Sequence, residues 1–163
     1  MSYQFDVITT DVADAVRHVG GLMFDRNRAG WRVRVVTDDT AHRRALAILG
    51  AYVESPGQHG NASREPARVV RAVALPIGEL NSAAGISEIG SCVQLLLWGA
   101  GPDSGPARPR PPIRQHLSTA AQIFKTQALR DVGLDPRAGP YEDFWPGKSF
   151  SAAASSRSVP SVR

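Results

Sequence analysis

With 163 residues, a formal net charge of +4 and a single cysteine, the chain is the size of one domain, forms no intramolecular disulfide and fits a reducing compartment. The 42% hydrophobic content is enough for a core, yet no run approaches the roughly 20 apolar residues that a membrane-spanning helix needs. The longest, Val93 to Trp98, is far shorter. Acids (Asp6, Asp11, Asp14) stand where a secretory signal would carry a basic region followed by an apolar run, so a cytoplasmic protein is expected. Residues 1–100 hold ten Arg and ten acids, while residues 101–163 hold nine Lys or Arg and five acids. The positive excess therefore belongs to Pro- and Ser-rich segments and not to the front of the chain. Only two of the 19 basic residues are lysines, which, with the abundant Ala, Gly, Pro and Val, points to a GC-rich bacterial genome.

In chain order, the first clear element is a helix over about 11–29. Thr10 or Asp11 can cap it, and Asp14 lies in the first turn, where a carboxylate favours the helix dipole. Val12, Ala15, Val16, Val19, Leu22 and Met23 form its apolar stripe. Gly20 and Gly21 weaken it by about 1 kcal/mol each relative to Ala, and Gly30 can end it. Phe24 projects away from the stripe, so either a second layer covers it or it is exposed; Arg26 falls on the apolar face, where its stem can pack. Residues 31–37 alternate as a strand does. Asp38, Asp39 and Thr40 can cap a short helix that runs to Leu49, and Tyr52 and Val53 begin another strand.

Residues 54–66 are a loop. Arg68 to Leu75 reads as a strand, although its apolar spacing also fits a helix, residues 77–90 are ambiguous, and Cys92 to Trp98 has the continuous apolar character of a strand buried on both faces. Five prolines between 99 and 112 mark a linker. A second long helix is expected over 113–130, with Ile113, Leu117, Ala120, Ala121, Phe124 and Ala128 on one face and Gly133 after it. Residues 147–163 are Ser-, Ala- and Arg-rich without apolar period, which predicts a disordered tail. The expected architecture is α/β: one domain over 1–146 built on a small mixed sheet of three to five strands, with two main helices packed on it.

The polar constellation that draws attention is Asp38, Asp39 and His42, delivered to the carboxyl end of a strand, where open α/β sheets bind ligands. Paired acids there could hold Mg²⁺ and His42 could act as a base. The simpler reading makes one Asp a helix cap and the rest solvated surface. Gly99 and Gly101 follow a strand, but Pro102 to Pro112 occupy the place of the helix that would receive phosphates. His18 can pair with Asp14 one helical turn back. His59 and His116 are scattered, and no histidine pair has zinc-site spacing, so no metal or cofactor is expected. Cys92 reads as a small buried hydrophobe.

Four of the eleven aromatics, Tyr141, Phe144, Trp145 and Phe150, fall within ten residues. Such a segment either docks over the protein's own sheet or serves as an interface core; the acids Glu142 and Asp143 within it disfavour phosphate contact, and specific nucleic-acid binding is not expected. With no complete catalytic motif in view, the expected function is a non-catalytic interaction or regulatory module. Tyr141, Phe144, Trp145 and Phe24 are its contact residues, and the partner is a protein or a second copy in a homo-oligomer. The alternative is a small-molecule-binding enzyme that uses the Asp38-Asp39-x-x-His42 cluster.

Overall fold

A computed structural model describes residues 1–57, 68–82, 92–99 and 111–147. It is an α/β fold with one seven-stranded mixed sheet and three helices among the described residues. The strands are β1 (Ser2–Ile8), β2 (Arg32–Val36), β3 (Tyr52–Glu54), β4 (Val69–Pro76), β5 (Gln94–Trp98), β6 (Ile113–His116) and β7 (Tyr141–Pro146); the helices are α1 (Val12–Arg28), α2 (Arg43–Ile48) and α3 (Thr119–Asp131). The sheet order is β3-β2-β1-β4-β5-β7-β6. The first five strands are parallel, and β7 and β6 add antiparallel.

The expected three to five strands thus become seven, while the two main helices and the short helix before Leu49 are present as α1, α3 and α2. Three strands account for the difference. β1 alternates Tyr3, Phe5 and Val7 against Gln4, Asp6 and Ile8, and sends Phe5 and Val7 into the helix-covered core. The signal is short, with Gln4 and Asp6 together on the other face. β6 and β7 arise where a longer helix and an irregular aromatic segment were expected. The helix begins only at Thr119, because Ser118 stands in extended backbone and its side chain accepts from the Ala121 amide at 3.0 Å. Residues 113–116 instead pair antiparallel with β7, Ile113 opposite Phe144 and His116 opposite Tyr141.

All three helices cover one face. Phe5, Val7, Val33, Val35, Ala72, Ala74, Leu96 and Trp98 from the sheet meet Val16, Val19 and Met23 of α1, Leu46 of α2, and Ala121 and Ala128 of α3 in one cluster. The opposite face is apolar toward the carboxyl ends of the strands, with Ile8, Val36, Val73, Leu75 and Leu97. Toward the amino ends it carries charge: Asp6, fully buried, receives Arg34 and Arg71, and Arg34 also reaches Glu54. Phe24 is buried, and its cover is the ring of Phe124 from α3, stacked at 4.5 Å between centroids. Arg26 lies over Trp31 at 4.2 Å and donates to Gln94. Cys92 is buried, and burial pushes its thiol up. The proposed linker (apart from Gly99, Pro111 and Pro112), the tail after Gly147, His59 and Phe150 lie outside the described residues. No helix among the described residues is long and apolar enough to cross a membrane.

Candidate functional site

In an open parallel sheet the ligand crevice forms at the carboxyl ends of the strands, where neighbouring connections leave in opposite directions. Here the order reverses between β1 and β4. The chain after β1 turns sharply: the Thr9 hydroxyl accepts from the Asp11 amide and donates to the Asp11 carbonyl. Asp11 then caps α1 by accepting from the Asp14 amide at 3.1 Å. Across the crevice, Glu79 accepts from both the amide and the hydroxyl of Thr10.

The cap sets the helix phase that places Asp14 and His18 one turn apart on the side facing β5. Asp14 Oδ2 accepts from the indole Nε1 of Trp98, the buried last residue of β5, at 3.0 Å. Its other oxygen lies 3.3 Å from His18 Nε2. The result is a chain Trp98–Asp14–His18 in which the aspartate is held from below and the imidazole from one side. The second ring nitrogen of His18 makes no hydrogen bond among the described residues. Partial burial lowers the His18 pKa from its ordinary 6.5; Asp14 opposes that shift, and the charges of Arg17 and Lys125 reinforce it. The net shift favours the neutral imidazole. The side chains of His18 and Asp14 are 34% and 39% exposed, so a solute can reach them.

His18 lines a cavity of about 380 Å³ together with Arg17, Gly99, Lys125, Tyr141 and Trp145. A second cavity of about 540 Å³ shares Arg17, Lys125 and Tyr141 with the first and continues over Leu129, Leu134 and Arg137. Beneath both sits a buried ion pair. Lys125 Nζ donates to Glu142 at 2.7 Å, and the same carboxylate accepts from the backbone amides of Gly21 and Leu22 inside α1, at 2.7 and 2.9 Å. Full burial pushes the Glu142 carboxyl up against the pull of Lys125 and the two amides. This clasp ties β7, α1 and α3 together directly behind the turn that carries Arg17 and His18.

The residues singled out from sequence fall elsewhere. Asp39 accepts from the Val12 amide at 3.0 Å and from the Ala41 amide at 3.0 Å, and those two bonds hold its carboxyl below the usual range. It ties the end of β2 to the first turn of α1. Asp38 is exposed, and His42 precedes α2 without a side-chain capping bond. Among the described residues no group of three or more His, Cys, Asp or Glu side chains is placed to hold a metal ion. In the aromatic segment Phe144 is fully buried in the helix-side core, Trp145 packs half-buried against the opposite-face cluster, and Tyr141 is exposed between His116 and Arg114. Lys125, Glu142, Trp98 and Arg17 were not legible as site residues: an isolated Lys in an amphipathic helix and a Trp ending a core strand carry no motif. The one available signal was the four-residue spacing of Asp14 and His18 on a helix following a strand.

No protein-family model matches the chain, and no curated protein is detectably similar to it in sequence. Solved structures do share its fold. The A40926 pseudoaglycone deacetylase Dbv21 superposes with a TM-score of 0.55 at 16% identity, over 91% of this chain and 98% of that one. The 4-carboxy-2-hydroxymuconate hydratase GalB from Pseudomonas putida KT2440 superposes with a TM-score of 0.50 at 14% identity, over 82% of this chain and 79% of that one. The reading as a non-catalytic interaction module is corrected here. Both proteins are enzymes, and two of its proposed contact residues, Phe24 and Phe144, are spent inside the chain's own core. What the likeness establishes is the fold: a helix-covered sheet whose architecture, in two other chains, carries catalysis.

Proposed function

We propose that this chain is a small-molecule enzyme that works by acid–base chemistry, with His18 as general base and Asp14 as the residue that orients it. The observation that carries the reading is the Trp98–Asp14–His18 chain at the mouth of a cavity on the carboxyl edge of the parallel strands. A neutral imidazole with one ring nitrogen 3.3 Å from a fixed carboxylate can take a proton on the other, and a base in that state contributes about 10²–10⁴-fold to rate. His18 takes a proton from water, the resulting hydroxide adds to an electrophilic carbon of the substrate, and the imidazolium, steadied by Asp14, returns the proton to the leaving or receiving atom. The names of the two enzymes that share the fold, a deacetylase and a hydratase, both describe reactions in which water adds to the substrate. Fold alone does not transfer activity, so the proposal rests on this chain's own residues. It places the base at His18 and not at His42, because the acid nearest His42, Asp39, is already engaged by two backbone amides.

The test uses p-nitrophenyl acetate as a minimal acyl probe. Hydrolysis by the wild-type protein should rise with pH through a single ionisation below 6.5, the direction set by the depressed His18 pKa, and level off by neutral pH. His18→Ala should lower the rate at least about 100-fold, and Asp14→Asn should lower it while shifting the ionisation. A wild-type protein without activity above buffer, or a His18→Ala variant as active as the wild type, overturns the assignment.

A further inference from the structure

The two adjoining cavities differ in character. The first holds the His18–Asp14 pair. The second, about 540 Å³, has an apolar floor of Leu129 and Leu134 and a charged rim of Arg17, Lys125, Asp135 and Arg137. The charges on that rim are not balanced. Lys125 is neutralised by Glu142 at 2.7 Å. Arg137 is held by Asp135 through its Nε and Nη2, and its Nη1 makes no hydrogen bond among the described residues. Arg17 stands on the wall common to both cavities and makes no hydrogen bond or ion pair among the described residues. It is the cation in excess.

From this asymmetry we infer that the second cavity is an anion subsite: it holds a carboxylate or phosphate of the substrate between Arg17 and Arg137, with an apolar or ring body over Leu129 and Leu134, while the reacting carbon lies in the first cavity beside His18. The inference deepens the proposed function and rests on it for the position of the reacting end; the subsite itself rests on Arg17, Arg137 and the cavity. The guanidinium fork pairs with planar or tetrahedral oxyanions through two parallel N–H donors. An Arg on the shared wall can reach a group lodged in the second cavity while its helix neighbour His18 faces the first. Cavities of this size accept a drug-sized molecule, so a substrate spanning both would be bound at two points and aligned for attack.

The probes are inorganic phosphate and succinate, each titrated into the full chain against sodium chloride at matched ionic strength, with thermal melting and a ¹H–¹⁵N spectrum as readouts. At least one probe should raise Tm in a saturable way and shift amide signals confined to residues around Arg17 and 134–141. Phosphate acting alone identifies a phosphate subsite, and succinate acting alone a carboxylate subsite. Arg17→Gln should weaken the effect at least tenfold and Arg137→Gln should weaken it too, whereas His18→Ala should leave it intact while abolishing hydrolysis. The last contrast separates the two ideas, since loss of the base does not touch anion binding. No saturable effect from either probe, or an effect unchanged in both arginine variants, overturns the subsite even if His18 proves essential.

Discussion

At the residue scale the two glycines of α1 show how a local cost is turned into a contact. Gly within a helix is unfavourable by about 1 kcal/mol relative to Ala, and Gly20-Gly21 incurs that twice. A Cβ at Gly21 would lie 2.3 Å from Leu117 Cδ1, while the nearest atom to one at Gly20 would be Leu49 Cδ1 at 3.3 Å. Gly21 therefore lets Leu117, the residue between β6 and α3, reach the helix. Gly21→Ala should destabilise the protein by about 1–3 kcal/mol through overpacking, and Gly20→Ala by clearly less, as chemical denaturation would read. Equal effects would show that Leu117 moves aside freely. Asp39 illustrates the reverse case, a residue whose chemistry suggests a site and whose bonds are structural: its two backbone contacts are those of a cap joining a strand end to a helix start.

At the element scale β7 decides the most. It reads as an aromatic cluster, and aromatic clusters suggest interfaces. As a strand it separates its side chains by the period of two: Glu142 and Phe144 turn inward toward α1 and α3, Trp145 joins the opposite face, and Tyr141 and Asp143 meet β6 through His116 and Arg114. Pairing with β5 at Leu96 and Leu97 extends the sheet beyond its parallel part. Phe144→Ala should cost about 3–5 kcal/mol, the usual range for a fully buried aromatic, and should also slow hydrolysis, because the clasp of Glu142 on α1 loses its support. Urea melts of the variant check the first claim. A change under 1 kcal/mol would mean that β7 is not docked as described.

At the scale of the whole molecule, acid sensitivity should come chiefly from the amino half of the sheet. Burial pushes the Asp6 carboxyl up, but the hydrogen bond from Arg34 and the charges of Arg71 and Arg34 outweigh it, leaving a pKa below the ordinary 3.8. A carboxyl with a depressed folded-state pKa contributes stability that is present above its unfolded value and lost as pH falls through the folded one. Melting temperature should therefore drop as pH falls below about 4. Asp6→Asn should destabilise at pH 7, since it removes the buried carboxylate that Arg34 and Arg71 share, by about 3–5 kcal/mol, and should flatten the dependence below pH 4. Melts from pH 7 to 2.5 on both proteins test this; parallel curves would assign the acid sensitivity to other groups.

Sequence alone determined the elements whose signals are local. The stripe of Val12, Val16, Val19 and Met23, the alternation in Arg32–Val36 and the apolar run ending at Trp98 each declare themselves within a few residues, because periodicity is a property of the segment, whereas the spacing in Val69–Pro76 fitted strand and helix alike until the sheet fixed it. The α/β class follows from their succession. The pairing of Asp14 with His18 was equally local, one turn of one helix. Tertiary structure alone decided that this pair matters. Trp98 reaches Asp14 from 84 residues away, Glu142 reaches Gly21 from 121 away, and Lys125 comes from a third element. No single segment encodes such meetings. They depend on which strand lies beside which, and that is set by the burial of whole faces against one another, a sum over the chain that no window of sequence contains.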